Sequence, residues 1–247
     1  MSLLSFIGAV AIGLSLGLTG AGGSVITLPV LVYLADIRPS EAVGISLFVV
    51  GASAGVGALQ RIRAGEFHGR AAFVFAAAGA LGAVGGSKLT PLVPDRILML
   101  IFAILMLLVA AVMLFGGRGE HGLGEAQCRP LRCLGAGFGV GVLTGFIGVG
   151  GGFLLVPSLM HFARLPMRVA IGTSLVIVTA NSLIGFLSHL GGEHRHWGLA
   201  VMFAVVAVAG VMIGHASAAR LPAARLRQIF AFVVLATGIY VLGQTLL

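Results

Sequence analysis

The 15 basic and 7 acidic residues of this 247-residue chain are gathered into seven clusters, at 36–41, 61–70, 88–96, 118–132, 164–168, 193–195 and 220–227. Between them run eight stretches without a charged side chain: 1–35, 42–60, 71–87, 97–117, 133–163, 169–192, 196–219 and 228–247. A hydrocarbon core about 30 Å thick is crossed by about 20 apolar residues in a helix, and six of the stretches have about that length. The other two, 1–35 and 133–163, are far longer. Charged residues make up only 9% of the chain, against about 25% in a soluble domain. The chain reads as an integral membrane protein. Its net charge of +8 belongs to short loops, where it orients helices in the bilayer and does not point to nucleic acid. The amino end lacks the positively charged segment of a cleavable signal, so residues 1–35 are expected in the mature protein.

Both long stretches carry one motif, "GLTGAGGSVITLPVL" at 17–31 and "GFIGVGGGFLLVPSL" at 145–159. The offset of 128 persists without a gap through Ala42/Ala170, Gly44/Gly172, Ser46/Ser174, Gly57/Gly185, Gly82/Gly210, Gly86/Gly214, Pro94/Pro222 and Phe102/Phe230. Paired glycines and prolines in one register are not what apolar sequence supplies by chance. The chain is expected to be two homologous repeats, 1–115 and 133–247, joined by a charged linker, 116–132. Internal duplication of this kind is a mark of secondary transporters.

Loop charge decides between parallel and inverted repeats. With eight spans, Lys and Arg divide eight against seven. If each long stretch enters and leaves by one face, each repeat has three spans and the repeats are inverted. The basic residues then divide eleven against four. The positive-inside rule favours the second arrangement, with the linker cytoplasmic and both termini periplasmic. The fold expected is therefore an all-α polytopic membrane protein of two inverted repeats. Each repeat holds a re-entrant or broken glycine-motif helix pair and three transmembrane helices. The tips of the broken pairs are expected near mid-membrane.

Broken backbone survives at membrane depth only where protein or a watery cavity surrounds it. A second half-helix starting at the glycines presents unpaired N–H groups and a partial positive charge, which together hold an anion. Gly20, Gly22, Gly23 and Ser24 in the first repeat and Gly148, Gly150, Gly151 and Gly152 in the second are the candidate binding positions. Pro29 and Pro157 are candidate hinges or irregular turns. Gly82 with Gly86, Gly137 with Gly141 and Gly210 with Gly214 read instead as close helix contacts. The motif is neither a phosphate loop, since no Lys-Ser or Lys-Thr follows, nor a dinucleotide fingerprint.

The doubled "GxGG(S/G)xxxxP", followed by "AVGISL" at 42–47 and "AIGTSL" at 170–175, resembles the sulfite exporter TauE/SafE family, also called the 4-toluene sulfonate uptake permeases. The resemblance spans nearly the whole chain. It implies a carrier of the bacterial inner membrane, not an enzyme, that moves small sulfur-containing anions such as sulfite, sulfonates or sulfoacetate. A channel of the same architecture is the first alternative; a non-transport membrane subunit or an intramembrane enzyme is the next. The expected partners are a small anion, the lipid bilayer and a coupling ion, proton or sodium.

Polar side chains inside apolar stretches add candidates: Ser46 and its equivalent Ser174, Thr173, and Asn181. They can donate to an anion, or bond back to their own helix or to a neighbouring one. No acidic residue and no Lys or Arg is placed well inside a stretch, so an anion is expected to be held by dipoles and neutral donors. His215, near a stretch end, is the best proton-handling candidate. Lys88 reads as a boundary anchor, and Trp197 as a headgroup anchor beside a loop of His189, His194 and His196. No cofactor or metal site is expected, and neither a metal nor a disulfide is expected at Cys128 and Cys133.

Overall fold

The computed structural model of the chain describes residues 3–20, 22–31, 37, 39–89, 93–115, 130–147, 152–189 and 197–246. They form ten helices: α1 (Leu3–Thr19), α2 (Gly22–Pro29), α3 (Pro39–Arg63), α4 (Gly69–Ser87), α5 (Asp95–Phe115), α6 (Pro130–Ile147), α7 (Gly152–Phe162), α8 (Met167–His189), α9 (Trp197–Ala219) and α10 (Ala223–Leu246). Among the described residues, six helices are long and apolar enough to cross a membrane: α3, α4, α5, α8, α9 and α10. They fall on the six shorter charge-free stretches, three on each side of the linker.

Neither long stretch is a single rod. The first breaks after Thr19, where Gly20 takes a left-handed φ of +76° that a side chain disfavours. The second is described as two helices, α6 ending at Ile147 and α7 starting at Gly152. Helix α2 then doubles back on α1. A Cβ on Gly23 would stand 2.5 Å from the Ile12 carbonyl oxygen and 2.8 Å from the Leu16 Cβ, so only glycine lets the returning segment lie this close. The two prolines behave differently. Helix α2 ends at Pro29 and widens into a π-type turn over Val30 and Leu31, whereas α7 continues past Pro157 to Phe162.

Local bonding repeats at the offset of 128. The Ile37 N–H donates to the Leu31 carbonyl at 3.1 Å and the Leu165 N–H to the Leu159 carbonyl at 3.2 Å. At the starts of α5 and α10, Pro94 accepts from Ile97 and Leu98, and Pro222 accepts from Arg225 and Leu226. A proline just ahead of the first turn has no N–H to lose and sets the entry dihedral.

Packing follows the same exchange. Helix α1 lies along α9 and α4 along α6, and these are equivalent pairs under the offset. In both, small residues put backbone against backbone. Gly13 faces Ala207 and Gly17 faces Val211; Gly141 faces Gly79 and Gly145 faces Ala83. The ascending numbers make both pairs parallel. The glycines at 82, 86, 137, 141, 210 and 214 all sit in these two seams, so the close-contact reading of them holds. By contrast α3 and its equivalent α8 run antiparallel, with Leu47 beside Gly185, Gly51 beside Ser182 and Arg61 beside Gly172.

The outside of the bundle is apolar. Phe73, Leu81, Phe115, Val205 and Phe232 are each more than half exposed, which suits lipid and not water. Cys133, at the start of α6, is disulfide-bonded. This corrects the expectation of a free thiol; Cys128, the other cysteine of the chain, lies outside the described residues.

Candidate functional site

The first motif tip is enclosed. Gly20 packs against the second repeat's AIGTSL segment, where a Cβ on it would come within 2.7 Å of the Ile171 Cγ2 and 2.9 Å of the Ile171 carbonyl oxygen. Ser24 and Thr27 of α2 are buried, and the Thr27 hydroxyl donates back to Gly23 at 2.7 Å. The amino end of α2 is thus inside the protein, beside α8. Gly22 opens α2 and the buried Gly152 opens α7. Gly148, Gly150 and Gly151 lie outside the described residues.

The depth of the tip differs from the expectation. Ile171 is in the second turn of α8, about 6 Å from its start at 1.5 Å per residue, and α8 begins at the end of the bundle where α3 finishes. The tip therefore lies toward that end and not midway. The reason is the length of α1. At 17 residues it is about 25 Å long, and its Gly13–Gly17 seam carries it along α9 almost to the far end.

The hydroxyls of the AIGTSL segment serve the fold locally. Thr173 is fully buried and accepts the His68 N–H at 3.1 Å, while the His68 Nδ1 accepts the Ala71 N–H at 3.1 Å and caps α4. Ser174 donates to the Ile171 carbonyl at 2.8 Å. Gly172 lacks a side chain because Glu66 and Arg61 occupy that space: its Cβ would stand 3.0 Å from the Arg61 Cβ and closer still to the Glu66 carbonyl oxygen. Ser46 and Asn181 are half-buried on the antiparallel α3 and α8.

The sequence reading missed an ionic cluster at this end. Arg61 belongs to α3 and is only 1% exposed, so a basic side chain does reach the interior. Its Nη1 donates to Glu66 Oε2, and its Nη2 to the Gly17 carbonyl at 3.2 Å, one turn before the break in α1. Glu66 Oε1 accepts from Arg168 Nη1 at 3.3 Å, and Arg168 Nη2 reaches the carbonyls of Leu221 at 2.8 Å and Ala219 at 3.3 Å. One carboxylate from the first repeat is shared by an arginine from each repeat. Burial opposes ionisation of Glu66, but the two guanidinium groups outweigh it and hold the carboxyl below its ordinary value. His215 stands across Gly17 from Arg61. A Cβ on Gly17 would come within 3.0 Å of the His215 backbone nitrogen, and the His215 Nδ1 is buried with no partner among the described residues.

At the opposite end of α3 and α8 the closure is aromatic. Phe48 packs on Phe186 at 5.4 Å and on Trp197 at 6.1 Å, and Trp197 meets Phe186 edge-on at 5.8 Å. Trp197, expected only as a headgroup anchor, is part of a side-chain cluster. His194 and His196 lie outside the described residues. Clefts among the described residues open on the surface. One of about 360 Å³ lies between α2 and α10, and one of about 540 Å³ is rimmed by Arg132, His161 and Arg164.

The sequence model described as "Sulfite exporter TauE/SafE" matches residues 5–241. A "Probable membrane transporter protein" of Xylella fastidiosa strain Temecula1 is 35% identical over 241 residues, covering 95% of this chain and 92% of that protein. The "Probable membrane transporter protein YunE" of Bacillus subtilis is 26% identical, covering 85% of this chain and 86% of its own. The family and these relatives are described as membrane transporters, not enzymes. No solved structure matches the chain. The polytopic helical bundle, the interrupted glycine motifs and the match over nearly its full length agree: the chain belongs to the sulfite exporter TauE/SafE family.

Proposed function

We propose that the chain is a secondary carrier for small sulfur-containing anions, such as sulfite, sulfonates or sulfoacetate-like compounds, across the bacterial inner membrane. The observation that carries this reading is the break at Gly20, whose returning helix α2 starts inside the bundle against the other repeat. The partial positive charge at a helix start attracts a negative solute. Removing that solute's hydration is tolerable only in such an enclosed, polar-lined position. The binding positions are Gly20, Gly22, Gly23 and Ser24 with their second-repeat equivalents Gly148, Gly150, Gly151 and Gly152. Ser46 on α3 and Asn181 on α8 are further candidate donors, and Thr173 and Ser174 lie in the segment against which the first tip rests. Pro29 and Pro157 act as hinges of the returning helices.

The antiparallel course of α3 and α8 supports repeats 1–115 and 133–247 in inverted orientation, with segment 116–132 between them. Inversion is what alternating access needs, because rocking one repeat against the other exchanges the environments of the two ends. The distribution of basic residues favours a cytoplasmic linker and periplasmic termini. The disulfide at Cys133 points the other way, since such bonds persist mainly in oxidising compartments. A reporter fused to the carboxyl end decides the orientation. A proton or sodium ion couples the transport, and His215 is the residue to test for protons.

Purified protein in liposomes loaded with unlabelled sulfite should accumulate labelled sulfite transiently against its gradient, as carriers do in counterflow. Ionic conductance without counterflow would instead assign a channel, and an absence of flux for every sulfur-containing anion tried would remove the transport reading.

A further inference from the structure

We propose that Arg61 is the cationic member of the anion site at the first motif, and that the Glu66 carboxylate and a substrate anion occupy its guanidinium in turn. This rests on the carrier reading above and names the charged group of that same site. Arg61 is 1% exposed and its Nε is buried without a hydrogen-bond partner among the described residues. A buried guanidinium is stable only when its charge is met and its donors are used. Here two arginines share one carboxylate. Arg168 is a third exposed, so water and two backbone carbonyls meet much of its need. Arg61 lacks solvent and, among the described residues, meets no carboxylate besides Glu66. A guanidinium holds an oxyanion through paired N–H groups, and the Nε side of Arg61 has that capacity unused.

The location fits the task. The Nη2 of Arg61 reaches the carbonyl of Gly17, so the charge stands one turn from the break that frees the amino end of α2. Close to the same glycine, the His215 Nδ1 is a second buried nitrogen without a partner among the described residues. The arrangement is one-sided. At the offset of 128, Arg61 corresponds to His189 and Glu66 to His194, so the second repeat has no matching ion pair. Glu66 is also the group that couples the repeats, since its other oxygen faces Arg168. An anion arriving at the tip takes the place of Glu66 on Arg61, and the carboxylate keeps Arg168. When the anion leaves, the carboxylate returns and closes this end. The purely structural role, Arg61 as a cap on the last carbonyls of α1, predicts a stability effect and nothing more.

The two roles separate in thermal unfolding of the full chain in detergent, titrated with sodium sulfite, sulfoacetate or thiosulfate against sodium chloride of equal ionic strength. A bound anion raises the melting temperature in proportion to its affinity. Arg61→Gln should weaken the titration midpoint by about 10-fold or more, the size of a lost charge-assisted hydrogen bond, and Arg61→Lys by less. Glu66→Gln should tighten the midpoint several-fold, because the internal competitor is gone, even though the anion-free protein melts lower. If Arg61→Gln does not fold, the direction for Glu66→Gln decides: an unchanged or weaker midpoint overturns the proposal. A wild-type response that both variants retain unaltered also overturns it and leaves the carrier reading standing. A wild-type protein stabilised by none of the three anions overturns both.

Discussion

The helices α3 and α8 are equivalent by sequence and antiparallel in space, yet their two ends are closed by different chemistry. One end holds Arg61, Glu66 and Arg168, with charge buried against the broken helix. The other holds Phe48, Phe186 and Trp197, with Trp197 edge-on to both phenylalanines and no charge among the three. The offset register puts Val176 opposite Phe48 and Ala58 opposite Phe186, so neither closure is copied at the other end. Positions related by the sequence offset thus carry different side chains where the two ends seal. An ionic closure is sensitive to anions, salt and acid. An aromatic closure is indifferent to all three and yields only to a change of packing.

The largest expected effect falls on the ionic end. Arg61→Ala should lower stability by about 2–3 kcal/mol, below the full cost of breaking a buried pair because Glu66 keeps Arg168; chemical or thermal unfolding in detergent reads it. Trp197→Ala at the aromatic end should cost about 1–3 kcal/mol from two lost ring contacts and their buried area, with no change in how stability depends on salt. An equal salt response from both variants would erase the contrast between the ends. Thr173→Val should cost about 1 kcal/mol, the value of one neutral hydrogen bond, because the His68 N–H loses its acceptor. Anion affinity should hold if Thr173 acts on the fold alone, and a large loss would return it to the binding site.

The smallest effect is on pH. Glu66 titrates below its ordinary value of 4.5, so its ionic contribution is complete above that pH and is lost as the pH falls through the folded value. Wild-type protein should lose melting temperature below about pH 4.5 more steeply than Glu66→Gln. Parallel curves for the two would show that the carboxylate contributes nothing there.

The spans were legible because charge and length alone define a helix in lipid. The breaks were legible because Gly20, Gly22 and Gly23 recur with Pro29 in a second copy, and the glycine seams because their spacing puts backbone at the surface. The position of the tip was not legible, since a motif marks where a helix stops and says nothing of how far α1 has slid along α9. Arg61 was misread for a related reason. It opens a charged cluster, 61–70, that looks like a loop, but α3 continues to Arg63 and turns Arg61 inward. The roles of Thr173 and Ser174 depended on neighbours 105 and 3 residues away, which the composition of a stretch does not reveal.

The most direct measurement of the central claim is sulfite counterflow by Gly22→Leu and Gly150→Leu in liposomes, each compared with wild type at matched protein insertion. If bare backbone at the tips receives the anion, both variants should insert normally and lose flux. Wild-type flux from both would contradict the account.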